Sequence, residues 1–177
     1  MKILIPLADG FEEIEAATSI DVLRRAGFDV VTAGLPGTWV TGSRNVKVMA
    51  DRRMEDTNPE EFDALVLVGG HPGYVNLGKS QSVLRAVQDF DRKGKTIGAI
   101  CGAPSVLARA GILEKRKATI YPGLEKEIPM PRPGRVVIDG HVITSQAPGT
   151  AMEFALKLVE VLAGETEAAS LKKQLVA

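Results

Sequence analysis

The sequence predicts an α/β sandwich in which a mostly parallel central sheet lies between helices. Three features carry that reading: short apolar runs recur along the chain, those runs do not alternate apolar with polar residues, and segments of helical periodicity separate them. Strands covered on both faces lose the two-residue alternation. Strand–helix–strand order then sets successive strands side by side in parallel.

A first strand is expected at Lys2–Pro6, followed by a helix on which Ala16, Ile20 and Leu23 recur at helical spacing until Gly27 stops it. Strands at Asp29–Ala33 and Ala64–Val68 come next. A second helix runs through Val83, Leu84, Val87 and Phe90 and ends at Gly94. Thr96–Ile100 and Val136–Asp139 complete the buried strands. Ala151, Phe154, Ala155, Leu158 and Leu162 form a third helical stripe, closed by Gly164. Smaller strands are expected at Val46–Ala50 and His141–Ser145, the latter folding back on Val136–Asp139 through the Asp139-Gly140 turn. The stretch from Pro122 to Arg135, with Pro129, Pro131 and Pro133, reads as a surface loop. No repeat, low-complexity tract or linker divides the chain, so residues 1–177 are expected to form one domain.

Charge and cysteine content narrow the function classes. Lys and Arg together number 22, as do Asp and Glu, so the formal net charge is zero. Gripping nucleic acid or anionic lipid needs a positive field, so neither is expected as a specific partner. The single cysteine, Cys101, can close no intrachain disulfide and build no zinc cage alone, and no metal is expected. No run approaches the ~20 apolar residues of a membrane span. The Ile3–Leu7 run, broken by Pro6, is too short for the core of an export signal. A cytoplasmic protein is expected.

Open sheets of this kind bind ligands where loops leave the carboxyl ends of the strands. There the segment Thr96-Ile-Gly-Ala-Ile-Cys101-Gly-Ala-Pro-Ser105 runs an apolar strand straight into a cysteine, with a helix resuming after Pro104. Such an elbow projects the thiol beside the free amides that open the helix. Those amides are expected to draw the thiol pKa down toward neutrality. Gly102 permits the tight turn and leaves its amide free as an oxyanion donor. A buried cysteine acting as a small hydrophobe is the competing reading.

After the first strand, Asp9 and Glu12 fit a capping box, and Glu13 suits the first turn of a helix. Glu15 differs. Thr18, Ser19 and Val22 share its helical face, a set of small residues that can pack closely on a sheet. A carboxyl held there would be desolvated, raised in pKa, and suited to carrying a proton. Gly73-Tyr-Val-Asn-Leu-Gly78-Lys79-Ser80 matches a phosphate loop literally, which would imply a nucleotide binder. Against this, Gly69-Gly-His-Pro72 intervenes after the strand, and Tyr74, Val75 and Leu77 would crowd a phosphate. His71, on the same rim as Cys101, could approach the thiol, although an exposed loop position is the simpler expectation; His141 falls in the predicted hairpin.

Ala8-Asp-Gly-Phe-Glu-Glu-Ile-Glu15, Asp21-Val-Leu-Arg-Arg-Ala-Gly27, Leu67-Val-Gly-Gly70, Ala99-Ile-Cys-Gly-Ala-Pro104 and Thr144-Ser-Gln-Ala-Pro-Gly-Thr150 occur in this order. Together they resemble the ThiJ/PfpI superfamily, in particular its parkinsonism-associated protein deglycase branch and the bacterial and archaeal relatives of that branch. The resemblance implies a flavodoxin-like three-layer sandwich, usually a homodimer. It also implies Cys101 as nucleophile, Glu15 as protonated partner and proton shuttle, and the Gly70 and Gly102 amides as an oxyanion pocket. Two departures stand out. The position after the cysteine is Gly102 where the protease-like branch has histidine, so no Cys–His peptidase is implied. Tyr121-Pro122 replaces the His-Pro pair of animal members, putting a poor proton relay at Tyr121.

The implied activity is cofactor-free, glyoxalase- or deglycase-type processing of 2-oxoaldehydes such as methylglyoxal and glyoxal, or of early glycation adducts on proteins. The same oxidisable thiolate would equally serve a redox sensor or a chaperone without turnover.

Overall fold

The computed structural model describes residues 1–177. The chain begins with β1 (Lys2–Ala8), α1 (Glu13–Arg25) and β2 (Asp29–Leu35), followed by the short strands β3 (Trp39–Thr41), β4 (Lys47–Met49) and β5 (Arg52–Arg53). Then come β6 (Ala64–Leu67), α2 (Gly73–Lys79), α3 (Gln81–Arg92), β7 (Thr96–Ile100) and α4 (Pro104–Arg109). The antiparallel arms β8 (Val136–Asp139) and β9 (Val142–Ser145) lead into α5 (Ala151–Ala163) and α6 (Glu165–Leu175). None of these helices is long and apolar enough to cross a membrane.

The main sheet has the order β5-β2-β1-β6-β7-β9-β8. Its pairings are parallel except for β8 with β9. Burial on both faces explains the unalternating runs. The pleat sends Leu4, Leu65 and Leu67 toward a core shared with α2, α3 and α4, and sends Ile3, Ile5 and Val66 toward a core shared with α1, α5 and α6. This is the expected three-layer, flavodoxin-like sandwich. β3 and β4 form a separate antiparallel ribbon.

Two expectations are corrected. Val136–Asp139 is not one of the parallel buried strands: it is the half-exposed antiparallel edge. The parallel neighbour of β7 is β9, which is buried throughout. Gly140, at φ +62°, reverses the chain after Asp139 and swings the second arm inward. The phosphate-loop alternative also fails. Gly73–Lys79 is itself the helix α2, and the Tyr74 and Asn76 amides already donate to the Gly70 and Pro72 carbonyls. Ser80 caps α3, its Oγ accepting the Val83 N–H, so no run of free amides remains to cradle phosphate.

Candidate active site

The site is assembled from the carboxyl ends of β1, β6 and β7. After β7 the chain turns at Cys101, whose φ of +64° lies in the left-handed region. For a residue with a side chain that conformation costs about 1–3 kcal/mol and persists only where the surroundings impose it. Here the Cys101 N–H donates to the Ser145 carbonyl at 3.0 Å, extending the ladder with β9, and its own carbonyl accepts the Tyr121 N–H at 2.9 Å. The strand-to-helix elbow read from the sequence is therefore present, with a strained backbone at its apex.

Glycines let the surrounding loops close on the sulfur. A Cβ on Gly69 would lie 2.6 Å from Cys101 Cβ and 3.0 Å from Sγ. Gly70, at φ +89°, has the Glu12 amide where its Cβ would stand. The Gly70 and Gly102 amides lie close enough to the Cys101 sulfur to pull its pKa down. Gly69 is the contribution that sequence reasoning missed; its signal was the Gly-Gly pair directly after an apolar strand.

Glu15 is delivered by the first turn of α1. Glu12 is the helix cap, its Oε2 accepting the Glu15 N–H at 2.8 Å. Asp9, expected to share that cap, instead accepts the Thr41 N–H at 2.8 Å. Glu13 accepts the Arg44 N–H at 2.6 Å and the Ser43 hydroxyl at 3.1 Å, which ties the β3–β4 turn to the start of α1. With those neighbours anchored, Glu15 is fully buried and its Oε2 accepts the Gly69 N–H at 2.7 Å.

Glu15 and Cys101 meet across Gly69, whose N–H binds the carboxylate at 2.7 Å and whose Cβ position would lie 3.0 Å from Sγ, and each shifts the other's titration. Burial raises the Glu15 pKa to about 7, against the pull of the Gly69 amide. Burial, and then the negative charge of Glu15, push the Cys101 thiol up to about 12 despite the Gly70 and Gly102 amides. The expectation that helix amides alone bring the thiol to neutrality is corrected. α4 is one and a half turns long, and the sulfur is half-buried against a carboxylate. The two groups titrate as a pair that gains its first negative charge near pH 7. A thiolate is accessible when Glu15 holds the proton, because a neutral carboxyl neither repels the sulfur nor leaves it without a donor.

The remaining candidates fall outside this pair. His71 is exposed, and its ring meets Tyr74 edge-on at 6.1 Å. His141 lies in the β8–β9 hairpin, its Nε2 2.8 Å from Asp91, which Arg116 also contacts. Tyr121 is held beside the elbow by its backbone, while its side chain is exposed. The larger cavities are elsewhere, one beyond Tyr74 at Ser105 and Arg109, another between α5 and α6.

A half-buried thiol on a strained elbow, paired with a buried carboxyl at the carboxyl edge of a parallel sheet, defines a class of α/β sandwich proteins. The chain belongs to the DJ-1/PfpI family, which it matches over residues 1–161. It is 39% identical over 178 residues to protein dj-1beta of Drosophila melanogaster, covering 98% of this chain and 95% of that protein. It is 33% identical over 169 residues to a Pyrococcus abyssi protein named a deglycase, covering 92% of this chain and 99% of that one. Among solved structures, oxidized Toxoplasma gondii DJ-1 superposes with a TM-score of 0.96 at 38% identity, covering 99% of this chain and 97% of that one.

Proposed function

We propose that this chain is a cysteine-dependent, cofactor-independent enzyme acting on 2-oxoaldehydes such as methylglyoxal, or on the early adducts they form with proteins. The observation that carries the reading is the buried Glu15 carboxyl, its pKa raised to about 7, set beside the Cys101 thiol across Gly69. A carboxyl of that basicity can both accept and return a proton at neutral pH. The Pyrococcus relative named a deglycase supports the substrate class.

Chemistry follows from the pair. Glu15 takes the thiol proton as Sγ attacks the aldehyde carbon; a C–S bond forms and the carbonyl π electrons move to oxygen. The Gly70 and Gly102 amides, which approach the sulfur, are the donors at hand for that oxyanion. Protonated Glu15 then neutralises the oxygen, giving a hemithioacetal. Glu15 next removes the hydrogen from the former aldehyde carbon and returns it to the ketone carbon through an enediol. The sulfur is left as a thioester of a 2-hydroxy acid. Water cleaves the C–S bond, and the thiol and a 2-hydroxy acid are released. Methylglyoxal plus water gives lactate, with no net oxidation. On a hemiaminal adduct the C–N bond breaks as the C–S bond forms at the same carbon, the thiol proton passing through Glu15 to the departing amine, and the same hemithioacetal results.

Lactate formation from methylglyoxal by the purified chain tests the proposal, with Cys101→Ala and Glu15→Gln expected to abolish it. Undiminished turnover in either variant overturns the mechanism. A second reading, reversible or sensing oxidation of Cys101, is supported by the Toxoplasma relative having been solved in an oxidized form. Stoichiometric sulfur oxidation by mild peroxide, without saturable turnover of methylglyoxal, would favour it.

A further inference from the structure

Buried side-chain oxygens in this protein are paired almost throughout. Thr32 binds Asp51, Thr57 donates to the Arg53 carbonyl, Thr144 accepts the Thr119 N–H, and Ser145 pairs with Thr150. The exceptions are Glu15 Oε1 and Ser19 Oγ, which are buried and have no hydrogen-bonding partner. Both residues are fully buried, and both lie on the inner face of α1, four residues apart. Residues at that spacing are neighbours on a helix surface, with Cβ atoms about 5–6 Å apart. A single water can serve two such oxygens on neighbouring turns, and orphaned buried oxygens are what ordered waters satisfy. The helix packed against α1 supplies no partner here: α5 presents Phe154, Ala155 and Leu158 to this core, none with a polar side-chain atom.

We infer that Ser19 is a positioning residue for Glu15, its hydroxyl and Glu15 Oε1 being the two ends of one buried hydrogen-bonded link closed by a single ordered water. The link complements the Gly69 N–H on Oε2 and fixes the carboxyl at both oxygens. A hydroxyl chain ending on a carboxylate is charge-assisted, so it favours the ionised form over the acid. Ser19 therefore limits how far burial lifts the Glu15 pKa. The titratable groups that act on Glu15 are Cys101, from the β7 elbow, and Glu12, from the helix cap. Neither is altered by substitution at Ser19. The inference rests on Glu15 as the proton carrier of the site, whatever substrate the site serves.

The test is the pH profile of Cys101 alkylation by iodoacetamide, read by mass spectrometry on the intact chain from about pH 5 to 9. Below the Glu15 pKa the thiolate fraction rises with pH; above it the charged carboxylate holds the fraction level, so the profile breaks. Ser19→Ala is expected to move the break upward by about half a pH unit and raise the plateau about threefold, leaving the acidic limb unchanged. A loosened core would instead raise the rate at every pH. Ser19→Thr, which keeps the hydroxyl, is expected to retain the wild-type break. Should that variant fold poorly, Ser19→Ala in a Glu15→Gln background decides, and there it is expected to leave the profile unchanged. A Ser19→Ala profile superimposable on wild type, a shift that persists in the Glu15→Gln background, or an equal shift in well-folded Ser19→Thr overturns the inference. Alkylation needs no turnover, so an absence of lactate formation would count against the enzyme reading alone.

Discussion

Replacing Glu15 by Gln should make the protein more stable at neutral pH and leave its stability in acid nearly parallel to wild type. Folding raises the Glu15 pKa from an ordinary 4.5 to about 7. The native state therefore holds this proton more tightly than the unfolded chain does. Below about pH 4.5 the carboxyl is neutral in both states and burying it carries no charge penalty. As pH climbs through 7 the native carboxyl must ionise in an apolar setting, and the stability it had in acid is lost. The shift from 4.5 to about 7 corresponds to roughly 3 kcal/mol, at about 1.4 kcal/mol per pH unit. Glutamine keeps an oxygen for the Gly69 N–H without ever ionising. Urea unfolding of both proteins from about pH 4 to 8, compared as a difference, cancels the titrations of groups that do not interact with Glu15. The difference should grow in favour of Glu15→Gln by about 3 kcal/mol across that range. If it changes by less than about 1 kcal/mol, Glu15 titrates as an ordinary carboxyl and the desolvation argument is wrong.

Further expectations concern the elbow. Gly69→Ala would place a Cβ 2.6 Å from Cys101 Cβ, and should cost about 1–3 kcal/mol in urea unfolding; unchanged stability would show that the approach of the two loops is not tight. Cys101→Gly should be at least as stable as Cys101→Ala in thermal melts. Glycine is freed from a left-handed strain of about 1–2 kcal/mol that alanine keeps, which exceeds its usual deficit of about 0.5–1 kcal/mol. A Cys101→Gly protein less stable than Cys101→Ala would mean that the positive φ at Cys101 is not imposed by the fold.

Much of this architecture was legible because local and global signals agree. Thr96–Ile100 reads as a buried strand and is one, with bounds unchanged, and the stop glycines Gly27, Gly94 and Gly164 all take positive φ just beyond helices. What escaped was set by tertiary context. α6 is largely polar, burying Ala168 and Leu171 alone, so its stripe is too thin to read. The role of Val136–Asp139 as an edge depended on which hairpin arm meets β7, a choice invisible in composition. At the site, the elbow and Glu15 were readable from residue order. The closeness of Gly69 to the sulfur, and the outcome for the thiol, were not. The latter depends on burial and the neighbouring charge prevailing over two amides, a balance that exists only once β6, β7 and α1 have been brought together.

The most direct measurement of the central claim is the iodoacetamide profile of Cys101 in wild type set beside Glu15→Gln. If one negative charge is shared between sulfur and carboxyl, the wild-type rate should rise with pH and level off near pH 7. The Glu15→Gln rate should go on climbing about tenfold per pH unit, with no break there. A wild-type profile without a break near neutrality, or a break that survives the loss of the carboxyl, would contradict the pairing of Cys101 with Glu15.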